Sequence, residues 1–284
     1  MYTTLISVEE LAHCIDECVV FDVQHDLMKP EAGLAAYNDG HIPGAYFLDN
    51  NHDLAGEKQI VNGLPITGRH PLPNRETLAE KLRACGLKTD QQVVVYDASN
   101  GMYGVRLWWL LNWLGHEKVA LLDGGLSAWK AAKYPISKQA PAARNGDFLV
   151  QHPRVSFVPV EELLADVTSS KNYLVIDARA SERYRGEVEP IDPVAGHIPG
   201  AVNRPFLTNL RPDGRFKPAP FLRKEFDELL AGRSVDSVVN QCGSGVTACH
   251  NILAMTHAGL PGANLYPGSW SEWCADASRP IERS

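Results

Sequence analysis

The chain of 284 residues is written twice. Gly40-His41-Ile42-Pro43-Gly44-Ala45 returns as Gly196-His197-Ile198-Pro199-Gly200-Ala201, offset by 156 positions. The flanks follow in the same order. Asp22 and its apolar run pair with Asp177 and Leu174-Val175-Ile176, and Val93-Val94-Val95-Tyr96-Asp97 pairs with Val238-Val239-Asn240-Gln241-Cys242. Trp129 and Pro135-Ile136 pair with Trp273 and Pro280-Ile281. Four ordered matches identify a duplicated unit, and a repeat constrains the architecture before any single residue does. The offset falls from 156 to 145 across the middle block, so the first copy carries an insertion, placed between Asn50 and Pro73. The reading is a first domain over 1–140, a linker over 141–153 punctuated by Pro141 and Pro153, and a second domain over 154–284.

Within each copy, short β-branched runs alternate with amphipathic stretches. The runs are Val19–Val23, Val93–Tyr96, Val119–Leu122, Leu174–Ile176 and Val235–Asn240. Continuous apolar runs of this length suit strands buried on both faces. The stretches Thr77–Cys85, Arg106–Leu114, Val160–Leu164 and Phe221–Leu230 read as amphipathic helices, with Gly86, Gly115 and Gly232 as stops. The fold class is therefore α/β: in each copy a mainly parallel sheet with helices on both faces.

Composition narrows the partners. Hydrophobic residues are 44% of the chain, enough for real cores. The net charge of −7 offers no basic footprint, so neither nucleic acid nor anionic membrane is expected. No apolar run reaches the roughly 18 residues of a membrane span. The N-terminus lacks a basic n-region, and six cysteines are too few for a disulfide scaffold, so the expected compartment is the reducing cytoplasm.

One loop carries the chemistry. An apolar strand ends at Cys242, Gly243-Ser244-Gly245-Val246-Thr247 follows, and a helix starts near Thr247 with Gly259 as its cap. Glycines at 243 and 245 let the N–H groups of 243–247 turn inward, and a helix N-terminus adds its dipole. Such a cradle stabilises an anion, which makes the cysteine a nucleophile and holds a transferred sulfur. With the paired GHIPGA turns and the duplication, this strand–Cys–loop–helix resembles the tandem-domain rhodanese sulfurtransferases over essentially the whole chain. Cys242-Gly243-Ser244-Gly245-Val246-Thr247-Ala248 looks like the loop of the 3-mercaptopyruvate branch; the thiosulfate branch has Arg and Lys where Gly243 and Ser244 stand.

The resemblance implies two tandem rhodanese-like domains, the first inert because Asp97 stands where the second has Cys242. It implies ping-pong transfer of a sulfane sulfur from a small-molecule donor, 3-mercaptopyruvate or thiosulfate, through a Cys242 persulfide to cyanide, a thiol or a thioredoxin-like protein. No metal or organic cofactor is implied. Ser244 and His70 match the serine and histidine of a proton relay, His70 lying in the first copy's insertion, from which it would reach the site. The relay's acid aligns with Asn51, leaving Asp49 or Asp53 to substitute. Arg183 maps to the substrate-binding arginine, and Ile191 stands where a second arginine is expected. Arg179 is either a second substrate ligand or one half of an ion pair. Two other readings stay open: a cysteine-loop phosphatase, for which the loop lacks a closing arginine, and a non-catalytic sulfur carrier. Cys14 and Cys18 read as four apart on one helix; Cys85, Cys249 and Cys274 read as structural, and His41 and His197 as hydrogen-bonding turn residues.

Overall fold

A computed structural model describes residues 1–284. In chain order its elements are β1 (Leu5–Ile6), α1 (Val8–Cys14), β2 (Cys18–Asp22), α2 (Glu31–Asp39), β3 (Tyr46–Phe47), β4 (Ile60–Val61), β5 (Leu64–Pro65), α3 (Arg75–Ala84), β6 (Gln92–Tyr96), α4 (Gly104–Trp113), β7 (Val119–Leu122) and α5 (Gly125–Ala131). The second half continues with α6 (Val160–Ala165), β8 (Leu174–Asp177), α7 (Ser181–Tyr184), β9 (Val202–Asn203), α8 (Ala219–Leu230), β10 (Val238–Gln241), α9 (Ala248–His257), β11 (Asn264–Leu265) and α10 (Ser269–Trp273).

The chain divides into two compact units. Unit 1 comprises Met1–Gly56, Pro73–Arg154 and Pro212–Phe216; unit 2 comprises Glu57–Leu72, Val155–Arg211 and Lys217–Ser284. Unit 1 is a parallel five-stranded sheet ordered β1-β7-β6-β2-β3. Unit 2 is a parallel four-stranded sheet ordered β11-β10-β8-β9, and a single bridge from Phe157 to Leu265 stands where unit 1 has β1. Consecutive residues Val93, Val94 and Val95 are all fully buried, as are Val238 and Val239, so both faces of each sheet are covered. One face of unit 1 packs Val20, Val94, Ala120 and Leu122 against Leu11, Leu126 and Trp129. Its counterpart in unit 2 packs Val175 and Val239 against Leu163, Tyr266, Trp270 and Trp273.

The helix stops lie where expected: Gly86, Gly115 and Gly232 all have left-handed φ. Two readings change. The helix foreseen over Arg106–Leu114 is α4, and every residue from Gly104 to Trp113 is buried, so it is a core helix with no polar stripe. Cys14 and Cys18 do not share a helix. The Val19-Val20 run draws Cys18 into β2, a 3₁₀ turn fills 15–17, and the two sulfurs stand 3.7 Å apart across that break.

Residues 141–153 are extended and tied to unit 1. Gly146 N–H donates to Arg83 O, Phe148 N–H to Leu87 O and Gln151 N–H to Leu114 O, and the Phe148 side chain is fully buried. The insertion, Glu57–Leu72, is part of unit 2. Its β4–β5 hairpin turns on Asn62-Gly63, both at positive φ, the dipeptide that a two-residue hairpin favours. No helix is long and apolar enough to cross a membrane.

Candidate active site

The site is built at the carboxyl end of the unit 2 sheet, where ligands of open α/β sheets bind. β10 ends at Gln241, Cys242 follows with 2% of its surface exposed, and α9 begins at Ala248. The first turn of α10 holds the loop. Ser269 Oγ accepts the Cys242 N–H at 3.1 Å, while Cys242 O and Gly243 O accept from Trp270 N–H (3.0 Å) and Ser271 N–H (2.9 Å). Gly245 has φ +75, and a methyl group there would lie 2.2 Å from Pro267 O, so the loop closes only with glycine at this position.

The insertion supplies the second part. Arg69 N–H donates to Ser271 Oγ at 3.1 Å, which fixes the segment 69–72 against α10. His70 is then 3% exposed with Nδ1 2.7 Å from Ser244 Oγ, two residues after Cys242. Sequence reading paired these residues across 174 positions, and the fold puts them in hydrogen-bond contact. In unit 1, Asp49 accepts from Asn51 N–H (2.7 Å) and His52 N–H (2.9 Å). Asp53 accepts from Asp49 N–H (2.8 Å) and from Lys81 Nζ (2.5 Å).

The arginines separate into different environments. Arg179 is 1% exposed. It grips Asp177 through Nε (3.1 Å) and Nη2 (2.7 Å), donates to Gly196 O at 2.7 Å, and lies over the Trp270 ring at 4.7 Å. Of the two readings for Arg179, the structure places it in the ion pair. Arg183 is 18% exposed and also paired, through Nε (3.2 Å) and Nη2 (2.6 Å), with Glu189. Its Nη1 and Nη2 would both lie 3.7 Å from a methyl group on Gly243, so its guanidinium borders the loop beside the cysteine. Burial pushes the Glu189 carboxyl up, but hydrogen bonds and charge from Arg183 outweigh it and leave the group below its ordinary range. Asp192, close to both Arg69 and Arg183, goes the other way: burial raises it despite the neighbouring guanidiniums.

Two features escaped the sequence reading. Asp192 and Glu189 form the acidic half of this network, although Glu189-Pro190-Ile191-Asp192 had drawn attention only for its missing arginine. Arg69, next to His70, carries a guanidinium whose Nη2 would stand 2.9 Å from a methyl group on Gly243. No local signal pointed to it: alternation along an extended run would turn Arg69 away from the face that buries His70. His41 and His197 hold their turns, with Nδ1 2.8 Å from Tyr37 O and 2.7 Å from Tyr184 O, each ring stacked on that tyrosine.

Comparison with known proteins agrees with this architecture. The model of the rhodanese-like domain matches residues 7–132 and again 160–276. A Pseudomonas aeruginosa protein named "Probable 3-mercaptopyruvate sulfurtransferase" is 47% identical over 98% of this chain and 97% of its own. A Mycobacterium tuberculosis protein carrying a thiosulfate sulfurtransferase name is 39% identical over 98% of this chain and 96% of its own. The solved 3-mercaptopyruvate sulfurtransferase from Leishmania major superposes with TM-score 0.83 at 30% identity, covering 98% of this chain and 76% of that one. The duplicated sequence, the paired parallel sheets and these matches together make the chain a member of the rhodanese family, with two rhodanese-like domains in tandem.

Proposed function

We propose that this sulfurtransferase takes the thiol sulfur of 3-mercaptopyruvate onto Cys242, where it becomes the sulfane sulfur of a persulfide, and passes it to a thiol or to cyanide. The observation that carries the donor assignment is the buried 2.7 Å contact between Ser244 and His70, two residues from the nucleophile, with an uncharged Gly243. In the first half-reaction the Cys242 thiolate attacks the donor sulfur. The donor C–S bond breaks, its electron pair passes to the carbon as the enolate of pyruvate, and a proton completes pyruvate. His70 and Ser244 move that proton, and Arg183 meets the donor carboxylate. In the second half-reaction a nucleophile attacks the outer sulfur of the persulfide, and the Cys242 thiolate leaves.

The N–H groups of 243–247 supply the charge stabilisation for the persulfide. Asp97 in the corresponding loop of unit 1 supports this reading. Its carboxylate accepts N–H bonds from Ser99 (2.7 Å), Gly101 (3.0 Å), Tyr103 (2.8 Å) and Gly104 (2.8 Å), the geometry of an anion in such a cradle. Six free thiols fit a reducing cytoplasm, where a small thiol or a thioredoxin-like protein is the available acceptor.

Thiosulfate is the second reading, favoured by the name of the Mycobacterium tuberculosis relative. Intact-mass spectrometry after incubation with each donor separates the two. The expected result is a gain of ~32 Da on Cys242 with 3-mercaptopyruvate, removed by cyanide or thiol. A gain with thiosulfate alone reverses the donor, and no gain with either overturns the mechanism.

A further inference from the structure

We infer that Arg69 is the second cation for the donor carboxylate and thereby sets donor specificity, taking the place that Ile191 leaves empty of charge. It rests on the reading above that the donor is carboxylated. Two guanidiniums border Gly243, those of Arg69 and Arg183. Their hydrogen-bonding edges differ. The Nε and Nη2 edge of Arg183, the side that grips a carboxylate with two parallel N–H bonds, is already closed on Glu189. Arg69 is held through its other terminal nitrogen, Nη1, by Asp192. Its Nε is buried with no hydrogen-bond partner, and its Nη2 is the guanidinium nitrogen nearest Gly243. Nη2 is therefore the nitrogen of Arg69 placed to meet an anion arriving beside Gly243.

Asp192 is the positioning residue of this arrangement. One oxygen holds Arg69 and the other lies 3.4 Å from Arg183 Nη2, with the aspartate side chain 3% exposed. The shared carboxylate fixes the spacing of two like charges that would otherwise repel, so that Nη2 of Arg69 and Nη1 of Arg183 converge on one carboxylate. Gly243 is part of the same device, because a side chain there would meet Arg69 Nη2 at 2.9 Å.

The test compares two donors on full-length protein: 3-mercaptopyruvate, and 1-mercaptopropan-2-one, which keeps the thiol and ketone but lacks the carboxylate. Arg69→Ala is expected to raise KM for 3-mercaptopyruvate about 10- to 100-fold, the loss of a charge-assisted hydrogen bond. The KM for 1-mercaptopropan-2-one stays at its wild-type value, kcat for both donors stays within about threefold, and inhibition by pyruvate weakens in parallel. Arg69→Lys, which keeps the charge but not the fork, recovers part of the loss. Should Arg69→Ala fail to fold by its thermal transition, Arg69→Gln and Arg69→Lys carry the same comparison. Equal losses on both donors, or an unchanged KM for 3-mercaptopyruvate, overturn the role of Arg69 while leaving the sulfurtransferase reading intact. A wild-type protein that turns over neither donor and gains no sulfur overturns that reading itself, and the role of Arg69 with it.

Discussion

The two strand–loop–helix segments after β6 and β10 are the same device with different contents. In unit 1 the loop closes on Asp97, whose two oxygens accept four backbone N–H bonds. In unit 2 the segment after β10 carries Cys242 at the matching position, 2% exposed, with Gly245 as its left-handed residue. The neighbouring strands differ in step. Asp22 of β2 is satisfied by Gln24, through the backbone at 2.8 Å and the side-chain amide at 2.8 Å, whereas Asp177 of β8 is paired with Arg179. The comparison teaches that one loop position can be spent on structure or left for chemistry: in unit 1 a built-in carboxylate satisfies the loop, and on the mechanism proposed above unit 2 keeps that position for the sulfur.

Substitutions at the two matched positions should therefore break different things. Cys242→Ser should lower turnover about 10³-fold or more, since the hydroxyl is a poor sulfur acceptor, while shifting stability by less than about 1 kcal/mol. Asp97→Ala should do the reverse. It leaves three buried N–H donors and the part-buried one of Ser99 without an acceptor and should cost about 3–5 kcal/mol, read as a lower urea midpoint at unchanged slope. If both variants behaved alike in both assays, the division between scaffold and enzyme would fall.

Next in size is the relay. Ser244→Ala and His70→Asn should each lower kcat about 10²-fold with 3-mercaptopyruvate, and the double variant should be little worse than either, as for residues acting as one unit. Additive losses would mean that the 2.7 Å contact has no part in proton transfer. Gly245→Ala should cost about 2 kcal/mol, because the added methyl meets Pro267 O while φ stays left-handed; an unchanged thermal midpoint would show that the loop can relax.

The smallest expected effect is on acid stability. Glu189 is held below its ordinary 4.5 by Arg183 and by backbone N–H groups, against the opposing push of burial. A lowered carboxylate contributes stability that is fully present above the unfolded value and is lost as pH falls through the folded one. Glu189→Gln should thus lower stability above about pH 4.5, where that contribution is fully present, and flatten the acid limb below it. A steeper limb would reverse the assignment.

Much of this was legible from the chain itself. The repeated GHIPGA turns, the apolar runs and the loop glycines specify their local backbone, so the parallel sheets and the place of Cys242 follow from short-range rules. The Ser244–His70 pairing was legible only through resemblance, because nothing local in Arg69-His70-Pro71 points to a partner 174 positions away. The Arg69–Asp192–Arg183–Glu189 network was not legible. Ion pairing of that kind depends on which loops meet, and charge spacing along a chain holds no record of it. The full burial of α4 was missed for a related reason: periodicity reports one apolar stripe, while burial is decided by everything that packs around a helix.

The membership of Glu57–Leu72 in unit 2 also bears on the order in which the protein is made. Arg69 meets Ser271 across 202 positions and His70 meets Ser244 across 174. At ribosomal rates of about 5–20 residues per second, the segment leaves the ribosome some tens of seconds before its docking surface exists. The first half can close its sheet and satisfy its loop during synthesis, since Asp97 and its four donors lie within a few residues of one another. The second unit cannot, because His70 waits for Ser244 in the loop after β10 and Arg69 waits for Ser271 in α10, the last helix of the chain. On the mechanism proposed above, sulfur transfer at Cys242 is thereby timed to the end of translation, and a product truncated before α10 would carry Cys242 without its docked insertion.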